Sequence, residues 1–219
     1  MSNQEIKVYR DLMGENEKWA IKTRQLLAEN NCVMLNFIGG PGCGKTTLLE
    51  KMAGRLKKNL RFAVLEGDIE TTRDAERLAA LKIPVSQLLT GGACHLEAKM
   101  VHYALSDFDL KKLDIVIVEN VGNLVCPAEF DVGEKAKIAV LSVTEGEEKP
   151  LKYPLLFREA AAMVLTKTDL LPHLNFNKKD CLDNAHRINA NLPIFPVSAV
   201  KNKGVEEFVT WMITKIQAK

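Results

Sequence analysis

What this sequence lacks narrows it first. No apolar run approaches the roughly 20 residues that a helix needs to cross a bilayer. The opening stretch MSNQEIKVYRDLMGENEKW is polar and mixed in charge, without the apolar segment of a secretion signal. No charge sign dominates: 30 Lys and Arg stand against 28 Asp and Glu, a formal net charge of +2. Nucleic-acid binders and membrane-surface proteins usually carry a strong basic bias, so neither partner is expected. Cysteine is sparse and odd in number. Cys32, Cys43, Cys94, Cys126 and Cys181 imply reduced thiols in the cytoplasm, not a disulfide framework. Internal repeats, low-complexity tracts and long linkers are also missing. A length of 219 residues with 47% apolar content therefore suits one domain covering 1–219.

What is present alternates. Short β-branched runs at Cys32–Ile38, Arg61–Leu65, Asp114–Val118, Lys137–Val143, Ala161–Leu165 and Pro193–Val197 read as buried strands, with Ile83–Leu88 as a possible short addition. Near-continuous apolar strands suit a parallel sheet covered on both faces. Helical patterns fall between them at Lys45–Lys58, Thr71–Leu81, His95–Ser106 and Lys178–Asn191, with an opening helix at about Asn16–Asn30. Val205, Phe208, Val209, Met212, Ile213 and Ile216 mark one face of a closing helix. The expected fold class is α/β, a P-loop NTPase with a mostly parallel sheet flanked by helices.

Gly39-Gly40-Pro41-Gly42-Cys43-Gly44-Lys45-Thr46 matches G-x-x-x-x-G-K-[ST] between a predicted strand and a predicted helix. Its glycines let backbone N–H groups turn toward a phosphate, and the helix N-terminus adds positive potential. Lys45 is expected to reach the β- and γ-phosphates, Thr46 to ligate Mg²⁺, and Thr47 to help at the α-phosphate. Cys43 fills a free position. Asp68 follows the strand RFAVL by two residues and Glu119 closes the strand IVIV; the carboxyl ends of both strands lie on the phosphate-loop edge, so both acids are expected near Mg²⁺. Lys45, Asp68 and Glu119 form the expected catalytic set, with Glu66 and Glu70 as weaker acids.

Thr166-Lys167-Thr168-Asp169 follows another strand and resembles the N/T-K-x-D element of GTPases. A carboxylate at Asp169 can accept from N1–H and the exocyclic amine of guanine, which adenine cannot match. Lys167 can lay its stem along the base. Thr166 stands where Asn is more frequent. Val197-Ser198-Ala199 resembles the loop under the guanine O6. Together these elements favour GTP over ATP.

Cys94-His95 pairs a thiolate with an imidazole, both suited to Ni²⁺ or Zn²⁺, at the expected start of a helix. Cys126 ends the stretch that begins at Glu119, where GTPases place a nucleotide-sensitive switch. His102 would lie about 10.5 Å along a helix from His95, too far to share an ion. Cys32 and Cys181 read as packing residues.

GGPGCGKTT, LEGDIET, GGACHL, VENVGNLVCP, EGEEKPLKYP, TKTDL and the VSA loop, in this order, resemble the HypB family of hydrogenase-maturation GTPases. The resemblance implies a SIMIBI-class GTPase that forms a homodimer with nucleotide. It implies a metal site of Cys94, His95 and Cys126 near the subunit interface, and Lys149 and Lys152 near the base and that interface. It also implies a HypA-like nickel chaperone and a hydrogenase large-subunit precursor as partners. The chain has neither the His-rich stretch nor the extra Cys motif of some members, so nickel storage is not expected. The urease nickel GTPase family differs, because its Cys-Pro-His motif meets Cys126-Pro127-Ala128 here. A methylmalonyl-CoA-mutase-associated GTPase has no use for CHL. The alternatives kept beside the main reading are the urease-type nickel GTPase, disfavoured on its Cys-Pro-His motif, and a nickel- or zinc-binding buffer with vestigial hydrolysis.

Overall fold

The computed structural model describes residues 3–217, with side chains from residue 14 onward. The apolar runs become β1 (Val33–Gly39), β2 (Phe62–Asp68), β3 (Val85–Leu89), β4 (Ile115–Glu119), β5 (Ala136–Ser142), β6 (Ala160–Thr166) and β7 (Ile194–Pro196). They make one sheet in the order β3-β2-β4-β1-β5-β6-β7, and each neighbouring pair runs parallel. All carboxyl ends therefore meet on one edge, where ligands bind in open α/β sheets. The helices are α1 (Asn3–Glu29), α2 (Lys45–Asn59), α3 (Arg73–Ala80), α4 (Ala98–Ala104), α5 (Cys126–Glu129), α6 (Lys149–Lys152), α7 (Pro154–Glu159), α8 (Lys178–Ile188) and α9 (Val205–Gln217).

Alternate strand residues face opposite sides. Leu35, Phe37, Val64, Ile117 and Val140 pack with Leu49, Met52 and Leu56 of α2 and with Phe208 and Met212 of α9. Met34, Leu65, Val116 and Val118 lie under Leu27 of α1 and Val101 of α4. Farther along the same sheet, Ile38, Leu141, Met163 and Leu165 meet Leu156 and Phe157 of α7 and Cys181 of α8. The expected α9 stripe is the buried one: Val205, Phe208, Val209 and Met212 are in the core, with Ile213 and Ile216 packed against it. Burying a Phe or Met side chain contributes about 1.5–3 kcal/mol, so this stripe anchors the last helix. Among the described residues no helix is long and apolar enough to cross a membrane.

The departures from expectation have local causes. The opening helix begins at Asn3, well before the expected Asn16, and ends at Glu29, followed by Asn31 at φ +52. The helix expected at His95 starts only at Ala98, because Glu97 is extended (φ −91, ψ 149). Thr71–Leu81 shortens to α3, with Lys82 at φ +57 just beyond. The helix expected to reach Asn191 stops at Ile188, because Asn189 is extended and its amide donates to the carbonyls of Phe157 and Ala160. β7 is only three residues long; it is an edge strand ending at Pro196, which has no N–H to extend the ladder.

Candidate functional site

The phosphate loop joins β1 to α2. Gly44 precedes α2 at φ 96, and no side chain caps that helix. Its first N–H groups are therefore open to an anion. Lys45 and Thr46 are buried. The Lys45 ammonium donates to the Gly39 carbonyl at 3.1 Å, across the loop. The Thr47 hydroxyl accepts from Arg77 of α3 at 3.1 Å, and that guanidinium is also held by Glu50 and Asp74. Cys43 is buried, and burial pushes its thiol up to about 11, so it stays a neutral filler at ordinary pH.

A cleft of 230 Å³ opens beside the loop, lined in part by Pro41, Lys45, Glu66, Asp68, Asp74 and Glu119. Glu119 accepts the Thr46 hydroxyl at 2.7 Å through Oε1, while its buried Oε2 has no partner. Burial raises its pKa to about 7 against the pull of Thr46 and Lys45. Glu66 lies opposite Glu119 in the β2–β4 register. It is buried with Oε2 unpartnered, and burial followed by the charges of Glu119 and Asp68 pushes it up to about 8. Glu66, Asp68 and Asp74 bring ligand oxygens within 4.8 Å of one another. Burial alone would raise Asp68, but bonds from Thr71 and from the Glu70 and Ile69 N–H groups hold it below the usual range. Glu70 is exposed, and its N–H serves Asp68. The structure thus gives Glu66 a more central place than its sequence context did. Asp74 was not singled out from the sequence at all, and only its position one residue into α3 hints at the loop.

The loops after β6 and β7 close the other side. The Thr166 hydroxyl donates to the Cys43 carbonyl at 2.5 Å, and the Lys167 ammonium to the Gly42 carbonyl at 2.7 Å. Lys167 sits at φ 58. Ser198 donates to Asp169 Oδ1 at 2.6 Å, and that bond holds Asp169 below the usual carboxylate range. Ala199 is half-buried, and its carbonyl accepts from Asn202 N–H at 3.3 Å. The two loops and the phosphate loop are thereby one hydrogen-bonded unit. Lys149 lies 5.3 Å from the Tyr153 ring centroid, and Lys152 pairs with Glu148 at 2.8 Å.

Cys94, His95 and Cys126 come together from separate loops. Their ligand atoms lie within 4.8 Å of one another. The sulfurs of Cys94 and Cys126 are 2.9 Å apart, and Cys94 Sγ is 3.6 Å from His95 Nδ1. Because residues 94–97 are not helical, adjacent side chains can face the same way. Cys94 is exposed while Cys126 is half-buried. The Cys126 thiol beside it, then burial, raises the Cys94 pKa. Burial lowers that of His95 against Glu97 and Glu129, a shift toward the neutral imidazole that a metal ligand has to be. His95 Nε2 is buried without a partner. Phe130 stacks on the imidazole, centroids 3.9 Å apart, and Asn123 donates to the Cys94 carbonyl at 3.1 Å. Neither residue carries a sequence signal for this part. His102 instead meets the Thr23 hydroxyl at 3.2 Å. Cys32 and Cys181 are buried, with burial pushing their thiols up to about 11 and about 12.

The family model described as CobW/HypB/UreG, nucleotide-binding domain, matches residues 33–196. The hydrogenase maturation factor HypB of Azotobacter vinelandii is 44% identical over 207 residues, covering 94% of this chain and 68% of that protein. The hydrogenase/urease maturation factor HypB of Helicobacter pylori (strain ATCC 700392 / 26695) is 36% identical over 219 residues, covering 98% of this chain and 90% of its own. The crystal structure of HypB from Helicobacter pylori in complex with nickel superposes with a TM-score of 0.88 at 38% identity, over 93% of this chain and 95% of that one.

Proposed function

This chain belongs to the HypB family of hydrogenase maturation factors, within the CobW/HypB/UreG nucleotide-binding group, and from that premise we propose that it is a GTP-hydrolysing nickel chaperone of the cytoplasm. Nickel is its cargo, held by Cys94, His95 and Cys126. It hands the ion on toward a hydrogenase large-subunit precursor, working as a homodimer with a HypA-like partner. The observation that carries this reading is one continuous segment. It starts at Glu119 in the nucleotide cleft and ends at Cys126, whose sulfur lies 2.9 Å from that of Cys94.

The donor set fits a magnesium ion on the nucleotide: the Thr46 hydroxyl, a Glu119 oxygen buried without a partner, and the Asp68 and Glu66 carboxylates. Such an ion supplies positive charge against the phosphate oxygens. In this reading the open N-terminus of α2 binds the phosphates. Lys45 turns from the Gly39 carbonyl to the transferring phosphoryl group, where it stabilises developing negative charge. Asp169, oriented by Ser198, selects guanine. The reaction is water attack on the γ-phosphate to give GDP and phosphate. Arg77 reaches Thr47 but is tied down by Glu50 and Asp74, so slow turnover suited to a timed switch is expected.

Turnover assays test the reading. GTP should be hydrolysed in clear preference to ATP. Lys45→Ala should lower the rate on the order of 10²–10³-fold, the scale seen when one transition-state donor is lost. Asp169→Ala removes two charge-assisted bonds and should weaken GTP binding by roughly 10²-fold. Equal turnover of ATP and GTP, or unchanged affinity in Asp169→Ala, would sink the guanine assignment.

A further inference from the structure

The segment from Glu119 to Cys126 is not free between its ends. Gly122 lies so close to the phosphate loop that a Cβ there would sit 3.0 Å from Pro41 Cα. Asn123 donates to the Cys94 carbonyl. Just before them, Asn120 is almost fully buried, 1% exposed, and its backbone N–H and both polar atoms of its side chain are bonded. Its N–H donates to the Phe37 carbonyl at 3.1 Å. Its Oδ1 accepts from two backbone N–H groups, Val121 at 2.9 Å and Leu96 at 3.4 Å. Its Nδ2 donates to Asn36 Oδ1 at 3.1 Å, and Asn36 Nδ2 donates in turn to Glu134 Oε1 at 3.3 Å.

The polarity of this chain is fixed at Asn120. Val121 and Leu96 offer only N–H groups, so Asn120 must show them its oxygen. Its amide NH₂ then faces Asn36 Oδ1, and the Asn36 NH₂ faces Glu134, which also accepts from Val132 N–H. A carboxamide meets both demands; a carboxylate has no donor and a hydrocarbon has neither group. Leu96 directly follows His95, and Val121 lies in the segment that leaves the nucleotide cleft.

Resting on the proposed function above, we propose that Asn120 is the positioning residue through which nucleotide state reaches the nickel ligands. One oxygen shared by Val121 N–H and Leu96 N–H ties the two loops together. A shift of Val121 changes what Leu96 is offered, and a buried N–H left without an acceptor is costly. The Cys94–His95 loop therefore follows the nucleotide segment. By linkage, nickel alters nucleotide affinity by the same factor as nucleotide alters nickel affinity.

The experiment is titration of Ni²⁺ into the full chain bound to GDP and to a non-hydrolysable GTP analogue, for wild type and Asn120→Ala. Wild type should show affinities differing by about 5-fold or more, the lower end of common coupling. Asn120→Ala should bring the ratio below about 2-fold. General loosening would weaken both affinities alike and leave the ratio intact. A wild-type ratio preserved in Asn120→Ala overturns this assignment and leaves the proposed function standing. A ratio of one in wild type overturns the coupling and Asn120's role with it. Should Asn120→Ala fail to fold, amide exchange at Leu96 in the wild-type chain decides. It should differ between the two nucleotides, and identical rates overturn the proposal.

Discussion

Glu66 and Glu119 face one another on neighbouring strands, and each has a buried oxygen without a partner. Their pKa values of about 8 and about 7 lie far above the ordinary 4.5. A carboxyl with a raised folded pKa binds its proton more tightly in the folded chain. Its contribution to stability is whole below pH 4.5 and lost as pH rises through 8. The metal- and nucleotide-free protein should therefore lose thermal stability across that interval, and Glu66→Gln should flatten the decline. A Tm that climbs with pH, or the same slope in Glu66→Gln, would contradict this. The sequence does hold a clue to Glu66: it shares strand parity with Val64 and Asp68, and so points to the same side. An acid one turn of the pleat inside a strand end still looks weaker than the terminal Asp68, because burial depth is not written in spacing. The reverse holds for the thiols. Cys94 and Cys126 were readable as a pair because their motifs are specific, whereas Asn120 and Asn123 look like ordinary loop polar residues until their partners are known.

The strands were legible because a parallel sheet covered on both faces needs near-continuous apolar runs, and such runs stand out. Element ends were less so. The helix expected from His95 loses its first turn to an extended Glu97, and only that loss lets Cys94 and His95 face Cys126. The join between β7 and α9 is another end set by tertiary contact. Gly204 has φ +73, and a Cβ there would lie 2.0 Å from the Pro196 carbonyl oxygen. Lys203, its neighbour, pairs with Ser198, the residue that orients Asp169. Gly204→Ala should cost about 1–3 kcal/mol from backbone strain, with the clash added. It should also weaken GTP binding by shifting Ser198. Thermal melting and nucleotide titration check this together, and an unchanged Tm would refute it.

For the whole molecule, the proposed cargo site has three donors and an exposed Cys94. A closed structural site wants four ligands, so a two-fold axis through this surface would let two chains complete one ion. The expected stoichiometry is one shared nickel per two chains. Tight binding of one ion per strictly monomeric chain would rule the bridge out, as would full affinity in Cys94→Ala. The strand order carries a further consequence, for the emerging polypeptide. β1 leads into the phosphate loop, yet it lies between β4 and β5, which are contributed by Ile115–Glu119 and Ala136–Ser142. A chain growing from the ribosome cannot enclose β1 until residue 142 has left the exit tunnel. Until then β1 can pair with β4 alone and keeps one edge open, and open strand edges are where nascent chains aggregate. The guanine loops at 166–169 and 198 appear later still. Synthesis thus assembles a phosphate cradle first and teaches it which base to accept afterwards, and the closing helix α9 seals both.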